Sequence, residues 1–161
     1  MSMLNDVKGQ IWTRLEWVCR LAVAGVFLYA AYPKIIDPIE FAKAITNYRL
    51  AFPVIGQDYV YAVAIFMPSL EAVVAIGILI ERYKRASSLI AMLLMALFTV
   101  LILQAVLRGL NIDCGCFGSS PVAQAKAHMV GWRRIAEDVG WLAASAFVYF
   151  RARPKKPAYK L

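Results

Sequence analysis

Two long apolar runs, at residues 59–80 and 87–107, place the strongest constraint on the fold. Each run supplies about the 20 apolar residues that a helix needs to cross roughly 30 Å of hydrocarbon. Helices are expected there because backbone groups in lipid must hydrogen-bond to one another. Apolar residues make up 61% of the 161-residue chain, well above the roughly 45–50% of soluble domains. The sequence therefore predicts an all-α integral membrane protein.

Two shorter apolar segments extend this prediction to four spans. They cover residues 17–32 and 135–150. Basic residues before the first segment are typical of a secretory signal peptide, but no good cleavage site follows it. We therefore expect four uncleaved helices, packed as a four-transmembrane-helix bundle in a single domain over residues 1–161.

Residues 39–52, between the first two spans, predict a short additional helix. Apolar residues recur there at helical spacing, with Lys43 and Arg49 between them. The segment is too short and too charged to span a membrane. An amphipathic helix lying in the outer membrane interface is expected.

The distribution of basic residues predicts the orientation. Lys and Arg cluster in the short connection at 81–85 and in the C-terminal segment at 151–160. Under the positive-inside rule, both termini lie in the cytoplasm and the connection at 108–127 lies in the periplasm of a bacterial inner membrane. These flanks and anionic membrane lipid account for the net charge of +8. We expect no nucleic-acid partner, because no nucleic-acid-binding motif is present.

The connection at 108–127 carries two cysteines, Cys114 and Cys116, separated only by Gly115. The periplasmic side permits disulfides. A bridge across one residue is strained, and glycine relaxes it by tolerating positive φ. So small a loop gains little stability from closure. Strained or exposed disulfides are the labile and catalytic ones, so the spacing favours redox chemistry.

Two alternatives for the cysteine pair stay open. Thiolates suit soft ions such as Cu(I), zinc and mercury, so the pair is an alternative capture site in a metal-binding or transport protein. A structural zinc site requires four ligands, and only Asp113 and His128 lie nearby to complete one. The second alternative is an inert thiol pair. Cys19, on the first span, is interpreted as a buried structural cysteine.

Charged residues within the predicted spans are the remaining candidates for a functional site. Glu71 lies near the middle of the second span, where a carboxylate is costly and usually paired or functional. We expect Arg20 to be its partner, either as a structural ion pair or with Glu71 as a proton carrier for a quinone. Lys34 and Asp37 are expected at the depth of the cysteine loop, as tuning, quinone-contacting or interfacial residues.

Arg133 and Arg134 add positive charge that favours a thiolate, whereas Glu137 and Asp138 oppose it, so the net effect on the sulfur stays open. His128 is a further candidate for tuning the site, and Asp113, Gly115, Phe117 and Gly118 are the supporting residues of the cysteine loop.

Three short elements carry a resemblance to a known family. They are "PKIIDPIEF" at 33–41, "PSLE" at 68–71 and "DCGCFG" at 113–118, which includes Phe117 and Gly118. The chain resembles the DoxX-like membrane proteins, in the branch of the methylamine utilisation protein MauE. The resemblance covers residues from about 14 to 150.

The resemblance implies a four-helix membrane protein that acts in periplasmic thiol–disulfide chemistry beside a thioredoxin-like partner, MauD. In that family the chemistry serves maturation of the disulfide-rich small subunit of methylamine dehydrogenase. The hypothesis is that a redox-active Cys114–Cys116 disulfide exchanges with such a partner. The resulting dithiol would then pass two electrons to a membrane quinone.

Overall fold

The computed structural model describes residues 2–47, 57–109 and 132–152, and within these ranges the chain forms helices and no strand. The described residues form five helices. They are α1 (Ser2–Ile36), α2 (Pro38–Asn47), α3 (Gln57–Leu79), α4 (Lys84–Leu107) and α5 (Trp132–Arg151). The prediction of an all-α chain is therefore confirmed for the described residues.

Three of these helices are long and apolar enough to cross a membrane. They contain the candidate spans Val7–Ile36, Tyr59–Leu79 and Lys84–Leu107. The chain is accordingly a multi-pass membrane protein. The first span is longer than the predicted 17–32, because no proline precedes Pro33 to interrupt the helix upstream.

Helix α5 coincides with the predicted fourth segment but is not among the candidate spans. Charged residues in its first two turns, including Glu137 and Asp138, lower its apolar content. It nevertheless packs against α4 and α1. Its residues Ser145 and Val148 are completely buried. The helix belongs to the bundle, while the count of four spans stays a prediction.

Side chains from four helices meet in an apolar core. The central residues include Phe27, Val74, Ile78, Ala91 and Val148. Large apolar side chains also cover the outside of the bundle, as expected for surfaces that face lipid. Examples at more than 60% exposure are Val18, Ile65, Phe66, Val73 and Leu93.

Helices α3 and α4 lie close together near Gly77. A Cβ atom at this position would overlap the Oγ atom of Ser87. Ser87 and Ser88 on α4 are both buried. Small residues therefore allow the end of α3 to lie directly against the start of α4, and the turn between them needs only residues 80–83.

Helix α2 begins at a conventional N-cap. The Asp37 Oδ1 atom accepts a hydrogen bond of 2.9 Å from the Glu40 backbone N–H. Pro38 occupies the first helical position, where its missing N–H has no consequence. The helix is described as far as Asn47, and residues 48–52 of the predicted segment lie outside the described residues. Its location in the membrane interface remains a prediction.

Candidate functional site

A buried ion pair joins α1 to α3. The Lys34 Nζ atom lies 2.7 Å from Glu71 Oε1 and 3.0 Å from Glu71 Oε2. The two side chains are only 3% and 1% exposed. One ammonium group therefore contacts both carboxylate oxygens inside the bundle, where charge-assisted hydrogen bonds are strong because little water competes for them.

Two aromatic rings complete the environment of the Lys34 ammonium. Its Nζ atom lies 5.0 Å from the ring centre of Phe41 on α2. It lies 5.1 Å from the ring centre of Phe98 on α4. Both distances allow cation–π attraction, which strengthens when the cation is removed from water. The site thus brings together α1, α2, α3 and α4.

This arrangement joins two of the three elements that carry the resemblance. Lys34, Asp37 and Phe41 come from "PKIIDPIEF", and Glu71 comes from "PSLE". Lys34 binds Glu71 and lies near Phe41, while Asp37 caps the helix that holds Phe41 in place. The two elements are therefore parts of one site, although 26 residues separate position 41 from position 68.

The predicted pairing of Glu71 with Arg20 is wrong. Arg20 precedes Lys34 by 14 residues on α1, which is about 21 Å at 1.5 Å per helical residue. Helices α1 and α3 run antiparallel, so Lys34 lies beside the middle of α3 and Arg20 beside its C-terminal end. Of the three alternatives for Lys34, interfacial anchoring does not agree with the structure, because its side chain is buried within the bundle. The tuning and quinone-contacting roles stay predictions.

Arg20 instead caps the C-terminal end of α3. Its Nε atom donates to the Ile78 carbonyl oxygen at 2.8 Å, and its guanidinium group also donates to the carbonyl oxygen of Leu79. A further N–H group pairs with the carboxylate of Glu81. The guanidinium carbon lies 4.1 Å from the ring centre of Trp17. A cation at a helix C-terminus satisfies carbonyls that have no partner within the helix.

Further charges surround this end of the bundle. Lys84 Nζ lies 2.8 Å from Glu16 Oε1 and 3.0 Å from Glu81 Oε2. Arg151 Nε lies 3.8 Å from Glu16 Oε2. We call these residues together with Arg20 the Arg20 cluster. Sequence reasoning did not single out Glu16 or Glu81, because neither lies in a recognisable motif and their partners are set by the packing of α1 against α3 and α4.

A small cavity adjoins the Lys34–Glu71 pair. Its volume is about 40 Å³. Apolar walls come mainly from α1 and α4, and the polar wall opposite the ion pair comes from α5. The lining residues are Val26, Phe27, Ala30, Lys34, Glu71, Met95, Phe98, Glu137, Asp138 and Trp141. The cavity therefore lies next to both the buried pair and the two acidic residues in the second turn of α5.

The cysteine pair lies outside the described residues. This also applies to the supporting residues proposed around it and to two of the predicted tuning residues. They are Asp113, Cys114, Gly115, Cys116, Phe117, Gly118, His128 and the side chain of Arg134. Their roles stay predictions. Helix α5 is the first described element after the cysteine loop, and it carries Glu137 and Asp138 to the cavity.

Within the described ranges, Cys19 is a free cysteine. It is half-buried and packs against the apolar core. The same ranges contain no group of three or more His, Cys, Asp or Glu side chains placed to hold a metal ion. The carboxylates at the cavity therefore do not form a metal-binding cluster.

Comparison with known proteins gives matches over most of the chain. The family model described as "Methylamine utilisation protein MauE" matches residues 13–151. The chain is 31% identical over 102 residues to the methylamine utilization protein MauE of Paracoccus denitrificans, covering 63% of this chain and 53% of that protein. It is 35% identical over 125 residues to the protein of the same name from Paracoccus versutus, covering 77% and 62% respectively.

A third relative gives a similar result. The methylamine utilization protein MauE of Methylorubrum extorquens is 30% identical over 130 residues, covering 80% of this chain and 64% of that protein. The matched region thus spans less than two thirds of the length of each of these relatives. No solved structure gives a significant match to the chain.

Proposed function

The chain belongs to the MauE family, and on that premise we propose that it is a membrane thiol–disulfide oxidoreductase that serves methylamine utilisation. In this proposal, Cys114 and Cys116 face the periplasm of a bacterial inner membrane and both termini face the cytoplasm. The partner is a periplasmic thioredoxin-like protein similar to MauD. Membership of the wider DoxX-like group is part of the same proposal.

The observation that best supports a catalytic role is the Lys34–Glu71 pair beside the cavity. A buried ion pair seldom stabilises a fold more than apolar residues of similar volume do. Ionisable residues inside membrane segments usually mark ion, proton or substrate pathways. This pair is buried on α1 and α3 and adjoins a cavity that is also lined by α5, the first described helix after the cysteine loop. The arrangement supports a role in the chemistry of that loop.

The proposed reaction has two steps. A thiolate of the reduced partner attacks the Cys114–Cys116 disulfide and forms a mixed disulfide. The partner's second thiol resolves it, so that the partner leaves oxidised and this pair becomes a dithiol. Reoxidation of the dithiol releases two electrons and two protons. A membrane quinone, as the electron-accepting substrate, takes up both to become a quinol.

The cavity itself does not fit a quinone. Pockets for small organic ligands have volumes of roughly 300–1,000 Å³, whereas this cavity measures about 40 Å³. We therefore place the quinone ring against the lipid-facing side of the bundle, near the cysteine loop. In this proposal, the residues around Lys34 and Glu71 transfer protons and maintain the packing of the bundle.

The test is anaerobic mixing of the purified, dithiol-reduced protein with a ubiquinone or menaquinone analogue, followed by thiol counting. We expect loss of two thiols for each quinol formed. Cys116→Ser should abolish the reaction. Cys19→Ser is the matched control, since it removes a thiol from α1 without touching the loop, and it should leave quinol formation unchanged.

Two results would contradict the proposal. One is a wild-type protein that keeps its thiols while the quinone stays oxidised. The other is quinol formation that continues in Cys116→Ser. Tight stoichiometric binding of Cu(I) or Hg(II) to the reduced pair, together with no electron transfer, would favour a soft-metal binding protein instead.

A further inference from the structure

The hydrogen-bonding capacity of the Lys34–Glu71 pair exceeds what the two groups use on each other. An ammonium group has three N–H donors, and a carboxylate has about four lone-pair positions. Lys34 directs donors to Glu71 Oε1 and Oε2. Among the residues that the structure describes, the other groups close to its ammonium are the rings of Phe41 and Phe98. Donor and acceptor positions therefore remain that water in an adjoining space can occupy.

The adjoining cavity has the size and polarity that water requires. One buried water needs roughly 10–15 Å³ and two to four polar partners. The cavity of about 40 Å³ is large enough for more than one water. The Lys34–Glu71 pair supplies polar partners on one side, and Glu137 and Asp138 supply them on the other. Most of the wall is apolar, but the charged groups on the two sides give a bound water the polar partners it needs.

The carboxylates of the polar walls also differ in how deeply they are buried. Glu71 is 1% exposed, Asp138 is half-buried and Glu137 is exposed. The carboxylates therefore form a series from the closed interior of α3 to the surface of α5. Such a series, bridged by water, has the elements that proton transfer requires: groups that bind protons and hydrogen-bonded water between them.

We infer that the cavity is a water-filled proton path that connects Glu71 on α3 with Glu137 on α5. The reaction that the path serves rests on the proposed function. The presence of water in the cavity does not depend on it. In the path, Glu71 accepts and releases the proton. Lys34 is a positioning residue that keeps its own proton and holds the carboxylate toward the cavity.

The chemistry balances as follows. Oxidation of the dithiol breaks two S–H bonds and forms one S–S bond, which releases two electrons and two protons. Reduction of the quinone takes up two electrons and two protons and forms two O–H bonds. The two protons released equal the two taken up, so the path between Glu137 and Glu71 moves protons in both directions with no net gain or loss of charge.

The first experiment measures water beside Lys34 without any activity. Protein labelled with ¹⁵N on lysine is placed in lipid nanodiscs, and the Lys34 ammonium signal is assigned by its loss in Lys34→Arg. We expect magnetisation exchange between this ammonium and water. Ala30→Val, which adds bulk at the cavity wall, should reduce it several-fold; Val26→Leu serves the same purpose if Ala30→Val does not fold. Ala22→Val, at a half-buried position on the same helix outside the cavity, should leave it unchanged.

The second experiment measures the thiol–quinone reaction in Glu137→Gln. We expect the rate to fall at least about tenfold and the solvent deuterium isotope effect to change, with partial rescue in Glu137→Asp. Glu40→Gln is the matched control, because it removes an exposed carboxylate on α2, and it should behave like the wild type.

The outcomes separate the two proposals. If the wild type transfers no electrons but Lys34 exchanges with water, the proposed function fails and the hydrated cavity stands. If the wild type transfers electrons but Glu137→Gln matches Glu40→Gln, the proton path is wrong. Absence of water exchange at Lys34 in the wild type would also overturn the path.

Discussion

Arg20 and Lys34 are both buried cations on α1, yet they contact different kinds of partner. Arg20 donates to main-chain carbonyls at the end of α3 and pairs with Glu81, whose side chain is 64% exposed. Lys34 contacts a carboxylate that is 1% exposed, and a cavity lies beside it. One cation therefore serves a helix end at the edge of the bundle, and the other neutralises a charge enclosed within it.

The difference separates a structural role from a chemical one. Carbonyls at a helix end need a donor in any fold, and an arginine on a neighbouring helix provides one. A carboxylate in the middle of a helix has no such structural need, and its burial opposes folding. The Arg20 cluster is accordingly expected to affect stability alone, whereas changes at Lys34–Glu71 should affect stability and reaction separately.

Lys34→Met gives the largest predicted effect. It leaves the Glu71 carboxylate buried without its cation, which should lower the free energy of unfolding by about 3–5 kcal/mol. The double variant Lys34→Met/Glu71→Leu removes both charges, so most of the stability should return while quinone-linked thiol oxidation remains impaired. Unfolding in mixed micelles and quinol formation measure the two properties.

The clearest distinction between Lys34 and Arg20 would come from a double variant that regains stability but not activity. Full activity in the double variant would show that the Lys34–Glu71 pair, like Arg20, has only a structural role. A loss below about 1 kcal/mol in Lys34→Met would mean that the pair behaves like an exposed salt bridge.

The sequence predicted the helices better than it predicted the contacts between them. Apolar run length identified the spans of α3 and α4 closely, and helical spacing identified α2. The partner of Glu71 was predicted wrongly because the register between two antiparallel helices depends on packing along their whole length. Neither helix sequence alone determines that register. Both Arg20 and Lys34 were available cations, and only the fold selects Lys34.

Some other features of the site could be predicted from the sequence, and some could not. Asp37, Pro38 and Glu40 follow the pattern of a helix N-cap, so the cap could have been assigned from the sequence. The position of Glu137 and Asp138 at the cavity could not, because it depends on how α5 packs against α1 and α4. Local sequence signals are sufficient to predict where a helix begins. Which distant segments meet at one site can be seen only in the structure.

Arg20→Leu should have an intermediate effect. It removes the donors to the Ile78 and Leu79 carbonyls, and unsatisfied buried polar groups cost about 1–3 kcal/mol. Arg20→Lys should retain part of this stability, since it keeps the charge but loses the planar fork. Arg14→Leu, at an exposed position on the same helix, is the control for removing a cation.

The comparison predicts that folded Arg20→Leu protein reduces quinone at the wild-type rate. Unfolding in mixed micelles and thiol counting on the same preparation would establish this. Loss of electron transfer in a folded Arg20→Leu protein would break the distinction between the two cations.

Glu81 gives the smallest predicted effect, and it depends on pH. Hydrogen bonds from Arg20, and then from Lys84, hold the pKa of the Glu81 carboxyl below its ordinary value of 4.5, while its slight burial acts in the opposite direction. Because the folded-state pKa is the lower one, the unfolded chain binds more protons as the pH falls. The stabilisation is therefore complete above the ordinary carboxyl pKa and is lost as the pH falls through the folded-state value.

Glu81→Gln should remove this acid-dependent component and lower stability at neutral pH by less than about 1 kcal/mol, since exposed ion pairs contribute little. Thermal unfolding in micelles at several pH values between about 3 and 7, with Glu40→Gln as the exposed-carboxylate control, measures the difference. Added salt should reduce it further because the Glu81 side chain is exposed to solvent. If wild type and Glu81→Gln lose stability identically on acidification, the hydrogen bonds from Arg20 to the carbonyls at the end of α3 alone account for its stabilising effect. The surrounding charges then contribute nothing measurable to the packing of α1 against α3.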